Sequence, residues 1–119
     1  MSSDFGSGVS IYRADRQPTR PEDDRRIRAA ARSLQFRERD RIGLFDHLDL
    51  GFGGARRRDG VWGVSVMLTG HFIGDHEGND RLDPEALIER ELPVAEQFAE
   101  ELAGFLGEEY EVVPYSGYW

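Results

Sequence analysis

The sequence contains neither cysteine nor lysine, and these absences exclude several classes of protein. Without cysteine, the chain of 119 residues has no disulfide framework, no thiolate zinc site and no cysteine nucleophile. No apolar run approaches the ~20 residues that a membrane-spanning helix needs. The first residues also lack the basic and apolar regions of a signal peptide. We therefore expect a cytoplasmic protein.

The remaining composition is that of a folded domain with an uneven charge. Hydrophobic residues make up 39% of the chain and aromatic residues 11%, which is more than disordered chains contain. All 15 basic residues are arginine, and the formal net charge is −8. The first 60 residues carry a balance of +3 and the remainder a balance of −11. Such asymmetry is typical of a charged binding surface, or of two halves that neutralise each other.

The first third of the chain predicts a strand followed by a helix. The segment Val9–Arg13 alternates apolar and polar residues, as a half-exposed strand does. Pro21 stands near the first helical position. Thr19 is followed three residues later by Glu22, which is the capping-box spacing. Apolar residues at helical spacing extend this helix to about Phe36.

Two apolar runs of period two predict a β-hairpin with one apolar face. The apolar side chains occupy even positions: Ile42, Leu44, Leu48, Leu50 and Phe52, then Trp62, Val64, Val66, Leu68 and Phe72. A turn rich in glycine and arginine, 54–60, separates the runs. We expect the turn to be centred near Arg58, which places Leu48 opposite Leu68.

A second helix and a last strand complete the pattern. Asp83 is the expected N-cap and Pro84 the first residue of this helix, and Gly107 is its expected C-cap. Pro93 lies inside the helix, where the ring removes a backbone donor, so we expect a kink or two separate helices. The alternation of Tyr110–Tyr115 predicts the final strand.

The predicted order β-α-β-β-α-β is that of a ferredoxin-like α+β fold, a four-stranded antiparallel sheet with both helices on one face. We take residues 1–8 as a flexible N-terminus and 9–119 as a single α+β domain. The aromatic tail 115–119 is expected to pack back on this domain.

The face of the sheet that carries no helix is the first candidate for a binding surface. Its odd-numbered hairpin positions include Phe45, His47, Met67 and His71. The expected register places Asp49 opposite Met67. Apolar groups on an exposed face usually mark an interaction site, so we expect a partner protein or a second copy of the chain, as a homodimer, to cover it.

The three histidines all stand near acidic residues, which raises the question of a catalytic or metal site. His47, Asp49 and His71 form a weak candidate for acid–base catalysis, because histidine titrates near neutral pH. His71, Asp75 and His76 form a weak candidate for a metal site. The loop that starts at Asp75 fails as a calcium loop, because Asp80 stands where glycine is needed. We expect neither a cofactor nor a metal, and we favour a protein without catalytic activity over an enzyme.

The arginines of the first helix are a candidate surface for nucleic acid. Arg25, Arg28 and Arg32 lie on one helical stripe, and such stripes bind phosphates. The acidic pI of about 4.8 and the missing pairs of stacking aromatics on the open sheet face argue against this function. We expect these arginines to pair with the glutamates of the second helix.

These observations together favour a small, acidic, non-catalytic module that binds another protein with a basic surface, as an inhibitor or immunity-type protein does. The alternatives are a homodimeric ferredoxin-like enzyme with a His/Asp site on the open sheet face, and a nucleic-acid binder through the arginine-rich helix. Membrane binding is not expected. The partner-binding candidates on the acidic side are Asp80, Glu85, Glu89, Glu96 and Glu100.

Overall fold

The computed structural model describes the backbone of residues 5–42, 49–69 and 84–118, and the side chains of 7–34, 50–68 and 92–116. The elements in chain order are β1 (Phe5–Arg13), α1 (Pro21–Ile42), β2 (Asp49–Arg56), β3 (Trp62–Thr69), α2 (Pro84–Leu106) and β4 (Tyr110–Tyr118). The strands form one sheet in the order β2-β3-β1-β4, and each neighbouring pair is antiparallel. The predicted α+β class, with a four-stranded antiparallel sheet and two helices, is confirmed.

One hydrophobic core lies between the sheet and the helices. The largest fully buried side chains come from the central strands and from both helices: Phe98, Ile11, Ile27, Leu34, Leu68, Leu102, Leu106 and Val9. All of them belong to a single cluster. The apolar residues at even positions of β2 and β3 contribute to this cluster, as the alternation predicts, except that Trp62 is 53% exposed.

The hairpin turn is tighter than predicted and its register differs by two residues. The Arg57 amide donates to the Val61 carbonyl at 2.9 Å, and Gly60 has a φ of 88°. A three-residue loop that ends in a left-handed glycine is a common hairpin connection. Leu50 therefore lies opposite Leu68, and the predicted pair of Leu48 with Leu68 is wrong. A shift of two residues leaves every side chain on its predicted face.

Helix α1 begins where it was predicted, but its cap and its end differ. The Asp23 carboxylate accepts a hydrogen bond from the Arg20 amide at 2.8 Å, so the capping pair is Arg20 with Asp23, one residue after the predicted pair. The helix ends at Ile42, which the periodicity had placed in the first hairpin strand. The intervening residues, 37–41, are three arginines, a glutamate and an aspartate, and because arginine and glutamate are good helix formers they extend the helix.

Helix α2 is one element from Pro84 to Leu106, with Pro93 inside it, so the expectation of two separate helices is wrong. Gly107 has a φ of 79°, and its amide donates to the Ala103 carbonyl at 2.9 Å, which confirms the predicted C-cap. The predicted N-cap, Asp83, lies outside the described residues.

The beginning of β1 and the end of β4 pair with each other, so both strands are longer than predicted. Phe5 lies opposite Tyr118, and the ladder continues from there to the pair of Arg13 with Tyr110. Strand β1 thus begins four residues before the predicted start at Val9. The aromatic tail is not a separate segment that folds back on the domain. Up to residue 118 it is the end of β4 and pairs with β1.

Candidate functional site

Six of the candidates from the sequence lie outside the described residues. They are His47, His71, Asp75 and His76 of the catalytic and metal candidates, and Phe45 and Asp80 of the partner-binding candidates. The proposed catalytic and metal sites that depend on them stay predictions. Within the described part of the chain, no group of three or more histidine, aspartate or glutamate side chains is placed to hold a metal ion.

Two candidates on the open sheet face lie in the hairpin. Asp49 is paired with Thr69 in the backbone register, and Met67 is paired with Gly51, so the predicted opposition of Asp49 and Met67 is wrong. Met67 is half-buried, and a Cβ placed on Gly51 would stand 2.9 Å from its terminal methyl group. The methionine therefore lies across the neighbouring strand instead of projecting freely.

Four of the acidic candidates lie on α2. Glu85 and Glu89 are in its first two turns, while Glu96 and Glu100 follow one turn apart and are exposed. Glu96 and Glu100 are therefore available for contact with another molecule.

The open face of the sheet is partly covered by two tyrosines that lie over glycines. A Cβ on Gly8 would stand 2.6 Å from the Tyr115 hydroxyl oxygen, and the Tyr115 and Ser65 hydroxyls hydrogen-bond at 2.9 Å. A Cβ on Gly63 would likewise stand 2.5 Å from the Tyr12 ring. Burial raises the pKa of Tyr115 to about 12. This part of the face is thus filled from within the chain.

A buried carboxylate, Asp23, joins α1 to β1 and β4. The Tyr110 hydroxyl donates to its Oδ1 at 2.6 Å. The Arg20 amide and the Arg13 guanidinium donate to its Oδ2 at 2.8 and 3.1 Å. Beside this centre lies a depression of about 330 Å³, across which Arg26 and Glu109 pair at 2.7 Å.

The electrostatics of this centre indicate a structural role for Asp23. Burial on its own would raise the pKa of Asp23, but the hydrogen bonds from Tyr110, Arg20 and Arg13 outweigh burial and hold the pKa below its ordinary value. Burial and the adjacent Asp23 carboxylate raise the pKa of Tyr110. Asp23 therefore stays charged, and both of its oxygens accept hydrogen bonds. A catalytic acid or base needs a pKa near the working pH and an oxygen free to exchange a proton, and Asp23 has neither.

The most distinctive surface lies where α1 meets the edge strand β2. The guanidinium carbons of Arg28 and Arg32 lie 4.8 and 5.5 Å from the centre of the Phe52 ring. These distances fall within the range of cation–π interaction. Arg28 also donates to Asp24 at 2.8 Å. Two consecutive turns of α1 therefore hold their arginines over one ring.

A second arginine–aromatic pair continues this surface at the start of β3. The guanidinium carbon of Arg56 lies 5.9 Å from the centre of the Trp62 ring. A Cβ on Gly54 would stand 3.3 Å from the same ring, so the indole rests against the bare backbone of β2. The indole is 53% exposed, the highest value among the large hydrophobic side chains of the described residues.

An open depression of about 520 Å³ lies between the first turns of α1 and the adjoining parts of β2 and β3. Its lining includes Arg20, Arg28, Gly53 and Gly54. We call the whole region the arginine–aromatic surface, which comprises Arg20, Arg28, Arg32, Phe52, Arg56 and Trp62. This surface carries four guanidinium groups, and the carboxylate of Asp24 lines its depression. The surface is therefore rich in positive charge, although the whole chain has a net charge of −8.

The sequence pointed to these arginines but not to the aromatic ring beneath them. We expected them to pair with the glutamates of α2, and because several of those side chains lie outside the described residues, that pairing stays a prediction. Among the described contacts, Arg26 pairs with Glu109, and Arg28 and Arg32 lie over Phe52 on β2. Phe52 and Trp62 were assigned to the core by their even positions. Their places at the edge and corner of the sheet leave them partly exposed.

Neither helix, over its described residues, is long and apolar enough to cross a membrane. Comparison of the chain with protein-family models, with curated proteins and with solved structures yields no match.

Proposed function

We propose that this chain is a non-catalytic binding protein that takes a polyanionic ligand on the arginine–aromatic surface. The observation that carries the proposal is the placement of Arg28 and Arg32 over the Phe52 ring, beside a depression that Arg20 and Arg28 line. Stacking engages the face of a guanidinium. Its N–H donors lie in the guanidinium plane, where they suit phosphate and carboxylate oxygens.

The charge distribution supports a local site over general attraction. A net charge of −8 repels polyanions from the chain as a whole. At physiological ionic strength, however, exposed charges are screened beyond about 8 Å. A ligand at the arginine–aromatic surface is therefore governed by the guanidinium groups there, and its affinity must fall steeply with salt.

The test is binding of inorganic polyphosphate to the wild type and to two double variants of equal charge. R28Q/R32Q removes the pair over Phe52. The control, R26Q/R57Q, removes two arginines that pair with Glu109 and Glu111 away from this surface. We expect R28Q/R32Q to lose at least tenfold in affinity at low salt and the control to lose much less. Equal losses in both variants, or no binding by the wild type, would contradict the proposal.

The acidic side of α2 supports a second candidate, a contact with the basic surface of another protein. Glu96 and Glu100 are exposed one turn apart, and Glu89 lies two turns before Glu96 on the same helix. Charges so placed steer association more than they add affinity. E89K/E96K/E100K should slow the association of an oligo-arginine peptide at low salt. An unchanged association rate would contradict this candidate.

For the fold, the ferredoxin-like arrangement is our proposal. It is supported by the element order β-α-β-β-α-β, by the antiparallel strand order β2-β3-β1-β4 and by the single core that both helices share with the sheet. An experimental structure in which the helices lie on opposite faces of the sheet would refute it.

A further inference from the structure

We infer that the polyanion is single-stranded nucleic acid, whose phosphates bind the arginines and one of whose bases stacks on Trp62. This inference rests on the proposed function, because it concerns the same surface. It adds the second component of that surface, the exposed indole, which binding of a plain anion does not use.

The position of Trp62 is that of a stacking platform. The indole lies against the backbone at Gly54 and 5.9 Å from the guanidinium carbon of Arg56, and yet 53% of the residue is exposed. Burial in the core therefore accounts for less than half of its surface. Stacking of a base on an exposed aromatic ring contributes about 1–3 kcal/mol and tolerates any base. A preorganised ring gives this contribution at little cost in conformational entropy.

Strand β2 places no side chain between the two aromatic rings. On the helix-side face of β2, Phe52 and Arg56 are separated by Gly54 alone, so no side chain of β2 stands between Phe52 and the indole. Four residues of strand span about 13 Å. Arginines flank both ends of this path. A strand of nucleic acid that follows it meets cations and a ring in alternation, as in other grooves for single strands.

A single strand fits this surface better than a duplex. In a duplex the bases are stacked on one another, and an indole at the protein surface has no base to contact except at an end. The arginine pair on α1 is also turned toward the sheet edge over Phe52, instead of outward from the helix as groove reading requires. Because the surface is short, we expect a footprint on the order of four nucleotides, the lower end of known single-strand sites.

The experiment measures the affinity of a fluorescently labelled oligothymidylate by anisotropy. The competing probes are an abasic oligodeoxynucleotide of equal length, inorganic polyphosphate, a DNA duplex and phosphatidylserine vesicles. The variants are W62L and R28Q/R32Q. The control is F105L, which removes another exposed aromatic, 43% exposed on α2. Urea unfolding of each variant identifies any that fail to fold.

We expect W62L to lower the affinity for oligothymidylate by about 5- to 150-fold, the range that the loss of one stacked base implies. W62L should leave polyphosphate and the abasic strand unaffected, R28Q/R32Q should weaken all three, and F105L none. If W62L changes nothing, or if the duplex or the vesicles bind more tightly than the single strand, this inference is wrong while the polyanion proposal stands. If no polyanion binds the wild type, both fail.

Discussion

The hydrogen bond between Tyr110 and Asp23 offers a sharp test of how the fold is held together. The substitution Tyr110→Phe removes one hydroxyl and keeps the ring, which is 92% buried and lies 5.4 Å from the Arg26 guanidinium. Core packing and the contact with Arg26 should therefore persist. The change leaves Oδ1 of Asp23 without its donor at 2.6 Å.

The expected cost follows from the charge and burial of the carboxylate. Hydrogen bonds to charged groups contribute about 1.5–3 kcal/mol, and a buried acceptor that loses its donor costs a similar amount. Asp23 keeps two other donors, the Arg20 amide and Arg13, so its charge remains partly compensated. We expect Tyr110→Phe to lower the free energy of unfolding by about 2 kcal/mol at neutral pH.

The pH dependence of this loss identifies its cause. The pKa of Asp23 is lowered in the folded state, so ionised Asp23 stabilises the fold above its ordinary pKa of ~3.9, and this stabilisation is lost as the pH falls through the folded value. Tyr110→Phe removes one of the hydrogen bonds that lower the pKa. The difference in stability between wild type and variant should therefore shrink in acid.

Urea unfolding followed by far-UV circular dichroism between neutral and acidic pH measures both effects. The matched control is Tyr115→Phe, which removes a neutral hydrogen bond to Ser65 and should cost about 0.5–1.5 kcal/mol without dependence on acidic pH. A loss below about 0.5 kcal/mol for Tyr110→Phe, or one that does not change in acid, would refute the role assigned to Asp23.

Three further experiments test the packing of the sheet, the conformation of its hairpin turn and the burial of Tyr115. Gly63→Ala drives a Cβ into the Ile11 carbonyl oxygen and should destabilise the fold by about 2–3 kcal/mol in urea unfolding. The control Gly53→Ala, with nothing within 4 Å of the added Cβ, should change stability far less. Gly60→Ala, at a φ of 88°, should cost about 1 kcal/mol in the same assay, and an unchanged midpoint would contradict the turn geometry. Burial raises the pKa of Tyr115 to about 12, so its neutral hydroxyl supports the fold fully below ~10, and stability should fall above that pH in the wild type but less in Tyr115→Phe.

The sequence was most informative where one face of an element is buried. Period two in the hairpin identified the faces of Leu50, Val64, Val66 and Leu68, since burial of one face enforces alternation. The same pattern does not encode register, because a shift of two residues preserves it. The register depends on the left-handed conformation of Gly60, one of three glycines in or near that turn, and composition alone does not select it.

Helix α1 shows where periodicity fails for a different reason. Its apolar stripe ends at Leu34 in the core, but the helix continues to Ile42 through mostly charged residues. A segment with no apolar periodicity is read as a loop, although arginine, glutamate and glutamine are themselves good helix formers. The end of the helix was therefore placed too early.

The arginine–aromatic surface was missed because it depends on contacts between elements distant in the chain. Phe52 and Trp62 stand at even positions, as the core residues of the hairpin do. An even position indicates which face of the strand a side chain lies on, but not how far it lies from the edge of the sheet. Strand β2 is an edge strand only because β3 pairs with β1, a non-local contact. That placement puts Phe52 under the arginines of α1 and leaves Trp62 at a corner. The sequence carried two signals of this surface, the arginine stripe of the first helix and the charge of +3 over the first 60 residues in a chain of −8. Both acquire meaning only when the fold brings those arginines to the aromatic edge.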